Sequence, residues 1–230
     1  MGAHTTAIAV VAGPVLVAIA IGAILLRRAF KRPKLLPEDV ALAAAWVFVV
    51  GGLVWLEAFL SGATLLGFSA PWTWLAASHF AVAGYGALTV TALSCRVVSC
   101  NRSLQVLRCL LVVHPVAYLV VAAGISGIRY CDEIGATAYG LLFVVQLGAV
   151  ARGRPDRIAR GPRVLVLAAL TVPVGTMAPA LAWAWGVPFF DLGGMVRYHG
   201  LVNAFGHVGL GLLAFAWGRP PARTALGSDD

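Results

Sequence analysis

Charge is scarce in this sequence. Only 11% of its 230 residues are Asp, Glu, Lys or Arg, 60% are hydrophobic, and the mean hydropathy is +0.90. An ordinary soluble domain, in which about a quarter of residues are charged, is thereby excluded. Acids are the scarcer sign, nine Asp and Glu against 17 Lys and Arg. A net charge of +8 would suit nucleic acid, but the basic residues fall in short runs between apolar stretches, the arrangement that sets membrane orientation. No nucleic-acid partner is expected. The only lysines, Lys31 and Lys34, lie in such a run, so a retinal-type Schiff base inside the membrane is excluded. Asp-Asp-x-x-Asp stretches are missing, which argues against magnesium-assisted ionisation of a diphosphate. There is no Cys-x-x-Cys pair, and Cys95, Cys100 and Cys109 fall at the opposite membrane face from Cys131, so the cysteines read as small apolar fillers. Neither a metal nor another cofactor is expected.

What is abundant is long apolar sequence. Seven stretches can each cross a hydrocarbon core of about 30 Å as a helix of roughly 20 residues. They are Ala7–Leu26, Ala41–Leu60, Trp74–Ser94, Val106–Ile125, Ile134–Val150, Val164–Trp185 and Met195–Trp217. No positive residue precedes the first and five follow it (Arg27, Arg28, Lys31, Arg32, Lys34), which reads as a retained anchor rather than a signal peptide. Fifteen of the 17 basic residues then fall on one side, leaving Arg129 and Arg197 on the other. The expected fold is an all-α, polytopic bundle of seven transmembrane helices, with the N-terminus outside and the C-terminus cytoplasmic. Residues 1–218 form the membrane domain and 219–230 a polar, disordered tail. Pro115 in the fourth span and Pro173 and Pro179 in the sixth are expected to free backbone carbonyls, which protein or a cavity must satisfy, and to bend or interrupt their helices. Gly200 and Ala204 would allow close helix approach.

Orientation also fixes depth. Glu57 falls roughly 5–10 Å below the outer boundary at about 1.5 Å per residue. His79 lies at a similar depth, His199 and Asn203 share that layer, His207 is deeper, and Asp191 and Arg197 stand above it at the start of the last span. Polar groups inside a bilayer are costly and usually pair or serve a site. Positions 199, 203 and 207 form one stripe of an α-helix, turning by about 40° per step. Each residue also has a structural reading. Asn203 can join helices, His114 before Pro115 can satisfy a carbonyl, Asp191 can cap the last helix, and Arg197 can pair with a carboxylate or reach the interface. Trp46, Trp55, Trp72, Trp74, Phe80, Tyr85, Trp183, Trp185 and Tyr198 supply aromatic faces for an apolar ligand or a cation. Trp72, Trp74 and Trp185 also suit an interfacial belt.

Two stretches carry a resemblance. "YHGLVNAFGHVGLGLLAFAWG" and "SHFAVAGYGALTV" resemble the YndJ-like family of bacterial membrane proteins, through His199, Gly200, Asn203, Ala204 and Gly206 in the first and His79, Phe80, Ala83 and Gly84 in the second. His207 and Tyr85 depart from it, since the family tends to carry Phe there. The resemblance implies a multi-pass protein of the bacterial cytoplasmic membrane. In size and helix number the chain is also similar to small membrane-bound cyclases of meroterpenoid and indole sesquiterpene pathways. That likeness would place an essential Glu at Glu57 and an essential Asp at Asp191.

The expected function is an integral membrane terpene cyclase that protonates an epoxide or alkene of a prenylated, lipophilic substrate. Glu57 would be the acid, and Asp191 or His199 would stabilise the cation or take the last proton. His79, Asn203, Trp55, Phe80, Tyr85, Tyr198, Trp183 and Arg197 would line the substrate. The alternative is a non-catalytic transporter or lipophilic-ligand binding protein. Inverted repeats that would favour transport are not evident. A single metal ion is not held by both His199 and His207, since eight residues span about 12 Å along a helix.

Overall fold

The computed structural model describes residues 3–223 and is all-helical. Among the described residues seven helices are long and apolar enough to cross a membrane, which makes the chain a multi-pass membrane protein. They are α1 (Ala3–Phe30), α2 (Pro37–Ser61), α3 (Trp72–Val97), α4 (Asn101–Ile125), α5 (Cys131–Arg152), α6 (Arg160–Ala184) and α7 (Leu192–Gly218). Each expected span is found, and the helices run past most of the hydropathy boundaries because polar first turns extend them. In α2, for example, Pro37 fits the first turn, and Glu38 and Asp39 favour the positive end of the helix dipole. Two compact units divide the chain, Met1–Thr89 and Val90–Asp230, with the boundary inside α3.

In the first unit α1 pairs with α2 and leaves Ile8, Leu16 and Ile24 exposed, as suits a lipid-facing helix. Glycines set the contact between α2 and the first half of α3. Phe80 covers Gly51, Phe48 covers Gly84, and a Cβ on Gly52 would stand 3.2 Å from the Ala77 carbonyl. Small residues let backbones approach in a medium where helices gain little from excluding water. Asp39 pairs with Arg32 at 3.1 Å, and Glu38 is fully buried.

In the second unit α4 and α5 form an antiparallel hairpin. Gly124 lies against the Asp132 backbone, Gly135 would place a Cβ 2.7 Å from the Val121 nitrogen, and the His114 ring meets Tyr139 edge-on at 5.2 Å. The close approaches of α7 are at Gly206 on Val172, Gly211 on Val90 and Gly218 on Pro162, at 3.1, 3.1 and 3.0 Å. Gly200, expected to provide one, has only its own helix's Met195 carbonyl nearby, at 3.9 Å. At that level polar side chains link α6 to α7. The prolines expected to bend or interrupt α4 and α6 do not interrupt them, since both helices are continuous through these positions.

The arginine-rich end of the second unit is tied together by its loops. Backbone amides of Ser99 and Cys100 both donate to the Gly153 carbonyl at 3.0 Å, and the Ser99 hydroxyl donates to Asp156. That hydroxyl is the main reason the Asp156 carboxyl lies below the usual aspartate range. A depressed folded-state pKa contributes stability above the unfolded value and loses it as pH falls through the folded one. Acidification below the ordinary aspartate range is therefore expected to loosen this loop, read as faster amide exchange at Ser99 and Cys100. Asp156→Asn should abolish the pH dependence. Arg223 donates to the carbonyls of Cys95, at 2.8 Å, and Val98, so the chain after α7 is docked at least to that point. The rest of the expected disordered tail, residues 224–230, lies outside the described residues.

Candidate functional site

Glu57 stands one turn before the end of α2, and the chain brings His4, in the first turns of α1, to it. His4 Nδ1 lies 2.9 Å from Glu57 Oε1, with the imidazole 67% exposed and the carboxylate side chain 20%. Oε1 is otherwise buried and receives no well-angled hydrogen bond, so the contact is Coulombic when His4 is protonated. Hydropathy hid His4 because it precedes the apolar run. The signal was antiparallel pairing, which sets the start of α1 beside the end of α2.

Three other expected site residues of the first unit each pack on a different neighbouring aromatic ring. Trp55 lies against Phe68 of the following loop at 6.3 Å, Phe80 against Phe48 at 6.1 Å, and Tyr85 edge-on to Trp46 at 5.2 Å. His79 is exposed on α3. The stretch Phe80–Gly86, which continues the motif from His79, is wound as a π-helix.

The second unit holds the other motif. Met195–Leu201 and Asn203–Gly209 are also π-helical, with i→i+5 bonding, so the simple α stripe through 199, 203 and 207 does not apply. The consequence is a register with α6. His199 Nδ1 meets the Thr176 carbonyl at 2.8 Å and His207 Nδ1 meets the Ala169 carbonyl at 3.0 Å. These carbonyls are seven residues apart and the histidines eight, and the wide turns take up the extra residue.

Proline explains one of the two acceptors. Pro173 has no N–H for the carbonyl four residues earlier, which is Ala169, and His207 supplies the missing donor. Pro179 likewise releases Gly175, next to Thr176. Because carbonyls only accept, both rings carry a proton on Nδ1, and in the neutral ring the lone pair is then on Nε2. Asn203 is held on both sides: its amide donates to the His199 carbonyl at 2.8 Å, and the Thr176 hydroxyl donates to its oxygen at 3.0 Å.

His207 is 1% exposed, and its ring meets Phe143 at 5.3 Å; Phe143 stacks on Tyr139 at 5.7 Å. Among the described residues His207 Nε2 and the Tyr139 hydroxyl are buried with no partner. Nearby on α5, Gln146 is fully buried and bonds Thr91 and Ser94 of α3 at 3.4 and 3.5 Å. A reading that weighed ionisable groups passed over this neutral amide, although it is a polar residue in the middle of "LLFVVQLGAV".

The remaining expected residues lie at the start of α7 and the end of α6. Asp191 is the N-cap of α7, accepting from the Gly194 amide at 2.7 Å, and is exposed. Tyr198 is 49% exposed and packs on Phe190 at 5.0 Å, Arg197 lies 6.0 Å from the Tyr198 ring, and Trp183 is 40% exposed.

Among the described residues the two motif stretches, on α3 and α7, are thus the two whose helices widen into π turns. The profile of the YndJ-like protein family matches residues 1–207. The chain belongs to the YndJ-like family. No curated protein and no solved structure matches the chain. In this YndJ-like protein the matched region ends at His207, the residue that takes the carbonyl released by Pro173.

Proposed function

We propose that this YndJ-like protein is an enzyme of the bacterial cytoplasmic membrane, N-terminus outside, that protonates an epoxide or alkene of a prenylated substrate and guides its cyclisation. The observation that supports this reading is the Glu57–His4 couple. A carboxyl largely withdrawn from water is joined to an imidazole that is 67% exposed, so a proton given to substrate can be replaced from the aqueous side. Glu57 is the acid. Trp55, Phe80 and Tyr85 of the same unit supply faces that favour positive charge. Asp191 serves by holding the start of α7.

The test is co-expression with sources of prenylated and epoxidised aromatics. Glu57→Gln should lower product formation by about 10²–10⁴-fold, the usual contribution of general acid catalysis. Asp191→Asn should remain active, because Asn caps a helix as well as Asp does. No cyclic product from any such substrate in the wild type would reject the proposal.

A second reading, transport or binding of a lipophilic molecule without chemistry, is favoured by how fully Asp191 and Asn203 are engaged internally. It predicts a bound prenylated ligand, unchanged in Glu57→Gln, and no new product.

A further inference from the structure

At the arginine-rich end of the second unit α3 and α7 leave an open groove of about 330 Å³. Leu93, Leu212, Phe215 and Pro220 make its apolar lining, and Arg96 and Arg219 add two guanidiniums. The surroundings share that sign. Between residues 90 and 223 ten arginines lie towards this end with a single acid, Asp156, which already accepts from Ser99. Among the described residues no carboxylate lines the groove to meet an ammonium group.

Arg219 carries a second observation. It ends α7 in the left-handed region, at φ +39°, while its amide donates to the Phe215 carbonyl at 2.9 Å. Glycine adopts that conformation without strain and is the common residue there, yet the glycine of this sequence, Gly218, stands one position earlier. Non-glycine residues held in this region cluster where a side chain is needed for a task.

We propose that the groove holds one anionic phospholipid, its phosphate taken by Arg96 and Arg219 and the first carbons of an acyl chain laid on Leu212 and Phe215. Charge complementarity selects an anionic head over a zwitterionic one, and an apolar lining joined to the basic pair selects an amphiphile over free phosphate. Basic pockets between membrane helices bind anionic head groups in this way.

The full chain, purified in mild detergent, can be exposed to phosphatidylglycerol, phosphatidylcholine or inorganic phosphate and weighed intact by native mass spectrometry. One phosphatidylglycerol per chain should be retained and phosphatidylcholine lost. Arg219→Gly removes the guanidinium while relaxing the backbone, and should weaken retention about tenfold or more, the worth of a charge-assisted hydrogen bond. Arg96→Gln should act likewise, whereas Arg129→Gln, beyond the far end of α4, should change nothing. The proposal is overturned by equal retention of both lipids, by wild-type retention in Arg219→Gly, by an equal loss in Arg129→Gln, or by displacement of the lipid with millimolar phosphate.

Discussion

His207→Phe is expected to destabilise the protein by about 1–3 kcal/mol, the cost of leaving a buried polar group without its partner. Phe keeps an aromatic ring beside Phe143 but cannot donate to the Ala169 carbonyl. A second substitution tests the same hydrogen bond more sharply. Pro173→Ala restores an N–H four residues after Ala169, so the helix can bond that carbonyl itself, and the cost of His207→Phe should shrink in this background. A double-mutant cycle read by reversible unfolding in detergent should therefore give a coupling of about 0.5–3 kcal/mol. Additive effects would mean that the proline and the histidine answer different needs.

The α4–α5 hairpin should respond as strongly. A side chain at Gly135 meets Val121, including its backbone nitrogen at 2.7 Å, and one at Gly124 meets the Asp132 backbone. Backbone cannot rotate away as a side-chain tip can. Gly135→Leu and Gly124→Leu are expected to cost about 1–3 kcal/mol each through overpacking, with Gly124 at the upper end. Gly148, also on α5, has nothing within 4 Å of a Cβ position, so Gly148→Leu should stay within about 0.5 kcal/mol of wild type. Thermal unfolding of the three variants in one detergent separates close approach from a general dislike of large residues.

Much of the fold could be read from apolar length, because a helix that must satisfy its own backbone in lipid needs about 20 such residues, and all seven spans are present. The Asp191 cap was legible from one short polar residue ahead of an apolar run. His4 was not, since an exposed terminal turn carries no hydropathy signal and its importance lies in the antiparallel neighbour Glu57. The π turns were equally hidden. Periodicity assigns α geometry to any apolar stretch, whereas the wide turns in α7 accompany a register with α6 that single-helix reasoning does not contain. The prolines were legible as residues that free carbonyls, but the sequence does not say which neighbouring side chain takes them. In α6 the carbonyl that Pro173 frees, that of Ala169, is met by the His207 imidazole of α7. Gln146 was missed because a neutral amide costs less in a membrane than a charge, yet it is buried among Thr91 and Ser94 as fully as any charged group.

The carbonyls of α6 fix which ring nitrogen carries the proton in both α7 histidines. The most direct measurement is the ¹⁵N spectrum of the side chains of His199 and His207 in reconstituted protein, with Phe variants of each for assignment. Neutral rings protonated on Nδ1, with Nε2 bare, are expected at both positions. A ring protonated on Nε2 with Nδ1 bare at either position would contradict the account.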